Sequence, residues 1–178
     1  TLTAALGLVV ALAVAGLALA AGGEGPVTVK SGTLEFTADG GFSPKALSKK
    51  TPTPIALTAA AKIRETDGSH PPALKELLLE TDKTGTVNVQ GYPTCRLGQL
   101  QSTDTSAAEK ACGKALIGKG QTSVEVAFPE QNPIPVHSKL LAFNGGFKGG
   151  VTTLYIHAYF NAPITGAIVT TVKIKKHH

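Results

Sequence analysis

The sequence predicts an all-β fold, an antiparallel β-sandwich of about eight strands with a short disulfide-stapled helical insert, preceded by an apolar N-terminal helix; a closed barrel is the nearest alternative. Three observations carry that expectation. Apolar residues alternate with polar ones in short runs, the period of a strand with one covered face. Gly (20) and Pro (11) are abundant while Trp and Met are absent, a composition that suits short strands joined by many turns. After Val27 a helix is expected only in one stretch, Gly91 to Gly120, and that stretch holds the only two cysteines, Cys95 and Cys112.

The N-terminal stretch, residues 1–21, carries no charge and is almost wholly apolar; at a 1.5 Å rise per residue it is just long enough to span a bilayer as a helix. Two readings of residues 1–23 stand side by side. In the first they are a secretory signal peptide, with Ala18, Leu19 and Ala20 as the small-x-small cleavage pattern, although the basic n-region is missing. In the second the helix is retained as an anchor or filament core. Thr3, Gly7, Ala11 and Ala15 then form a stripe of small side chains, a candidate helix-packing face. A type IV pilin would carry Glu where this chain has Ala5, which argues against that form of filament.

Residues 24–178 are expected to form one sandwich domain, a length sufficient for a real core. Val27 and Val29, then Leu34 and Phe36, alternate around a Ser31-Gly32 break, giving a bulged strand or tight hairpin. The segment from Ala38 to Pro54 reads as a loop. Ile55, Leu57, Ala59, Ala61 and Ile63 alternate with polar or small partners and predict a half-buried strand. A turn from Thr66 to Pro72 leads to a strand over Leu74 to Thr81, or alternatively to a helical turn beginning within Pro72 to Leu79, and a hairpin signal at Lys83 to Gly85 leads to Val87 and Val89. In the cysteine module, a helical turn is expected within Pro93 to Leu100. A capping box from Ser106 to Glu109 opens a helix that runs through Cys112 and is ended by Gly118 and Gly120. Strands follow over Thr122 to Phe128, Val136 to Phe143, Leu154 to Phe160 and Ala167 to Lys176, with a flexible turn spanning Asn144 to Gly150.

Exactly two cysteines behind an export-type leader predict one disulfide, Cys95 to Cys112, formed in an oxidising space. The loop it closes is worth on the order of 3 kcal/mol in the chain-entropy account. The pattern Pro93-x-Cys95, Ala111-Cys112, Ile117-Gly118-x-Gly120 ahead of a Val-rich strand resembles a segment of secreted β-rich proteins of high-GC Gram-positive bacteria that have no assigned activity. That resemblance runs from about Thr28 to Lys175. It implies secretion and a compact domain, and it transfers no functional residue.

Chemistry-bearing motifs are sparse. His70 beside Asp67 and Ser69 lies in a run of turn formers, and His137 next to Ser138 lacks a nucleophile elbow. There is no phosphate-binding loop, dinucleotide fingerprint or calcium loop. Strand alternation places Tyr155, His157 and Tyr159 on one face, a candidate binding face for a sugar ring or a partner. The lysines gather only in small groups, Lys45, Lys49 and Lys50 in one loop and Lys173, Lys175 and Lys176 near the end, without the aromatic stacking residues of a nucleic-acid surface. His177 and His178 close the sequence. The expectation is therefore an exported, non-enzymatic structural or interaction protein at the cell surface, tethered or filament-forming if residues 1–21 are retained. The alternative is a soluble extracellular binding module for a glycan or small apolar ligand. No cofactor, metal or nucleic acid is expected; the expected partner is a protein or a second copy, with the membrane reached through residues 1–21.

Overall fold

A computed structural model describes residues 25–71, 86–126 and 132–175 of the chain. They fall into two compact units, Thr1–Gly85 and Thr86–His178. The class is β as expected, and the described residues form two antiparallel sheets with one short α-helix.

The first unit carries a three-stranded meander, β1 (Val27–Ser31), β2 (Leu34–Ser43) and β3 (Ala56–Glu65), in that order. The Ser31-Gly32 break is a hairpin turn: Ser31 pairs with Leu34, and Val29, Phe36 and Ile63 line up across all three strands on one face. Phe36 is the buried residue of that row. On the opposite face Lys30, Glu35 and Arg64 align, and both cations reach the same carboxylate. Two expectations need correction here. The segment after Ala38 is not loop until Ser43, because β2 continues opposite β3 and its Gly40 and Gly41 are accommodated as strand positions. Nor is β3 half-buried: Leu57 is 72% exposed and Ala56 to Lys62 are exposed on both faces. Alternation predicts a covered face, but among the described residues no element packs over either face of β3 from Ala56 to Lys62. The predicted strand from Leu74 to Thr81 lies outside the described residues, as do the hairpin signal at Lys83 to Gly85 and residues 1–23.

The second unit is a four-stranded meander with the order β4 (Leu116–Val126), β5 (Ile134–Lys148), β6 (Val151–Phe160) and β7 (Gly166–Lys175). Ahead of it come a 3-10 turn at Leu97–Gln99 and helix α1 (Thr105–Cys112). Leu141 and Phe143 on β5 pack with Cys95, Leu100, Ala108, Cys112 and Ala115 of the cysteine module, so that module lies on one face of the sheet. On the other face Val136, Ala158 and Phe160 form a smaller core with Val126, Ile134 and Leu140.

Four details here differ from expectation. Val87 and Val89 are not in a strand. The helix is capped two residues before Ser106: Asp104 accepts from the Ala107 amide at 2.7 Å, because an Asp carboxylate reaches the free amides of the first turn as well as Ser does. Gly118 and Gly120 do not end the helix; they sit inside β4, with the side chains of Ala142 and Leu140 against them. Finally, Asn144 to Lys148 is strand, not flexible turn. The reversal is confined to Gly149 and Gly150, and a register shift between Asn144 and Gly146 marks a bulge.

Candidate functional site

The cysteine module and the β5–β6 face beneath it form the most elaborated region of the second unit. It is built from three tethers. The first is covalent: Cys95 and Cys112 are joined, with their Cα atoms 5.5 Å apart, and both are buried. The bond ties the segment before the 3-10 turn to the last residue of α1, closing a helix of only eight residues that has two buried side chains of its own, Ala108 and Cys112. So short a helix is marginal without such support.

The second tether is Asn144, fully buried at the bulge of β5. Its side-chain Nδ2 donates to the Pro93 carbonyl at 2.9 Å, its Oδ1 accepts from the Gly146 amide at 2.9 Å, and its backbone carbonyl accepts from the Cys95 amide at 2.8 Å. One residue thus satisfies the strand irregularity and the entry to the module together. Next to it, Gly145 leaves room for Tyr155: a Cβ there would come within 2.8 Å of the Tyr155 ring and 3.0 Å of Thr153.

The third tether is His157. Its Nε2 donates to the Thr103 carbonyl at 2.9 Å, and the ring is fully buried in the row Leu141, His157, Val169. Its Nδ1 has no partner among the described residues. On the surface above, Lys119 of β4 bonds Glu109 of α1 at 2.7 Å, and that cation holds the Glu109 carboxyl below its ordinary range. Arg96 and Gln99 close the 3-10 turn, the Arg96 amide donating to Gln99 Oε1 at 3.0 Å.

The residues singled out in the sequence are placed as follows. Tyr155, His157 and Tyr159 do share a face of β6. His157 is beneath the module, Tyr155 is half-buried against the module's core, and Tyr159 is half-buried farther along. His70 is exposed just past the turn at Thr66 and Asp67, where Asp67 accepts the Ser69 amide at 2.9 Å and is held below the usual carboxylate range by Ser69. His137 is exposed on β5 opposite Ser123, and with Gln121, Ser138 and Lys139 it lines a shallow hollow of about 440 Å³. Thr3, Gly7, Ala11 and Ala15, and the terminal His177 and His178, lie outside the described residues. Among the described residues there is no group of three His, Cys, Asp or Glu side chains placed to hold a metal ion, and no helix is long and apolar enough to cross a membrane.

Sequence reasoning missed Asn144 and His157 as tethers. Asn-Gly-Gly is the composition of a turn, and a buried hydrogen-bonding Asn leaves no trace in periodicity. A bond from His157 to a carbonyl 54 residues away in the chain is equally invisible.

No family model, no curated protein and no solved structure matches this chain. The disulfide itself points to an oxidising, extracytoplasmic environment.

Proposed function

We propose that the protein is an exported, non-enzymatic β protein of the cell surface that works by contact, as a structural or interaction subunit. The observation that carries this reading is the position of the Cys95–Cys112 bond. It lies inside the largest buried cluster of the second unit, so that cluster reaches its full stability only where thiols are oxidised. The apolar residues 1–21 supply the matching export or tethering segment. For self-association or a protein partner, β1 offers an edge: it pairs with β2 on one side only among the described strands.

A soluble glycan-binding module fits less well, since the His157 ring is enclosed between sheet and module and is out of reach of a ligand. The test is cell fractionation of the native protein with intact-mass measurement. Recovery outside the cytoplasm supports the reading, and the mass then divides its two forms: a start at Ala21 or later means a released domain, and a mass that includes residues 1–21 means a tethered one. Recovery from the cytoplasm alone would refute it.

A further inference from the structure

The net charge of +5 is confined to one unit. Up to Gly85 the chain has eight cations and eight acids; after it come nine cations and four acids. Part of that surplus is gathered at one end of the four-stranded sheet. Lys148 and Lys175 are both register partners of Val151, one on each side, and Lys173 is the partner of Thr153. Cross-strand partners share a face, and so do residues two apart, so all three lysines project from the same face. Strand spacing puts the Lys148 and Lys175 backbones roughly 10 Å apart, with Lys173 roughly 7 Å from Lys175. All three are exposed, and none pairs with a carboxylate among the described residues. The described acids of this unit are elsewhere. Glu125 is opposite Pro135 at the far end of β5, Glu109 is on Lys119 in the Leu141 row, and Asp104 caps α1.

The same end carries a hydrophobic tip. Phe147, beside Lys148, is 48% exposed on the opposite face of the hairpin. Gly149 and Gly150 then turn the chain with φ of 58° and 78°, a pair of left-handed conformations that glycine supplies without strain, and the turn itself carries no side chain. A half-exposed aromatic ring next to the turn on one face of the hairpin, with lysines on the other face that pair with no carboxylate among the described residues, is an arrangement that can seat the tip of a hairpin on an anionic bilayer. The ring enters the acyl boundary while the ammonium groups meet the headgroups.

We propose that the β5–β6 hairpin tip, with Phe147, Lys148, Lys173 and Lys175, docks on an anionic lipid surface. The proposal adds a partner to the cell-surface reading and rests on separate observations, so a failure on vesicles would leave the fractionation result standing. The experiment is co-sedimentation of the full chain with vesicles of phosphatidylglycerol in phosphatidylcholine and with neutral phosphatidylcholine vesicles. The readout is the ratio of the two partition coefficients, because insertion of apolar residues 1–21 would raise both alike.

Each lysine near an anionic surface is worth about fivefold in partition, so Lys148→Gln/Lys173→Gln/Lys175→Gln should lower the ratio by about a hundredfold. Phe147→Ser should weaken partition to the anionic vesicles about tenfold, and Lys110→Gln on α1 should change little. All of these side chains are exposed, and an unchanged thermal melt confirms folding of each variant. An equal partition of the wild type into both vesicle types, or a triple variant that keeps the wild-type ratio, overturns the proposal. So does binding to soluble polyphosphate that competes fully with vesicles and ignores Phe147→Ser, which would assign the lysines to an anionic polymer.

Discussion

Glu35 shows how one residue fixes a local register. It is nearly enclosed on the polar face of the first sheet, with Arg64 bonded from β3 and Lys30 at 3.2 Å from β1. Arg64 foremost, then Lys30, holds its carboxyl below the ordinary value of 4.5, against the opposing effect of burial. The unfolded chain therefore binds this proton more readily than the folded one. The stability it contributes is present above pH 4.5 and is lost as pH falls through the lower folded value. Denaturant titrations of the protein between pH 6 and 3 should show the first unit weakening below 4.5. Glu35→Gln should flatten most of that decline, leaving a smaller slope from Asp67, which is shifted in the same direction. An unaltered acid limb in Glu35→Gln would mean that the charge row does not stabilise the sheet.

At the level of elements, the bulge of β5 is the joint between sheet and module. Its Asn144 bonds three backbone groups while Gly145 lets the Tyr155 ring close over the strand. Gly145→Ala would push a Cβ against that ring and against the Thr153 carbonyl, at 2.8 and 3.0 Å. Overpacking of this kind costs about 1–3 kcal/mol, to be seen as a lower midpoint of chemical unfolding for the second unit. A neutral result would show that the ring moves aside freely.

Much of the element order was legible in the sequence, for stated reasons. The alternation of Leu154, Ile156, Ala158 and Phe160 located β6, and the two cysteines located the staple. What stayed hidden were features set by partners distant in sequence. The continuation of β2 through Gly40 and Gly41 depends on β3 opposite it, and the openness of β3 depends on the described strands giving it one neighbour only. Strand propensity weighs side chains, and these outcomes were decided by pairing. The candidate face was legible only in part: Tyr155, His157 and Tyr159 are on one side of β6 as alternation requires, but the module that encloses His157 is held there by bonds that leave no pattern in the sequence.

At the scale of the whole molecule, the chain joins a charge-neutral sheet unit to a cationic unit built around a disulfide, after an apolar N-terminal stretch. The oxidising place proposed for it, and much of the second unit's stability, depend on one covalent bond. A helix of eight residues with two buried side chains cannot hold the module on the sheet alone, and the loop closed by Cys95 and Cys112 supplies about 3 kcal/mol toward that task. The most direct measurement is thiol trapping of the protein as it occurs in its native cell, by acid quench, alkylation before and after reduction, and intact-mass determination. No alkyl group is expected before reduction and two after it, on protein recovered outside the cytoplasm. Two alkylated cysteines without reduction would contradict this expectation.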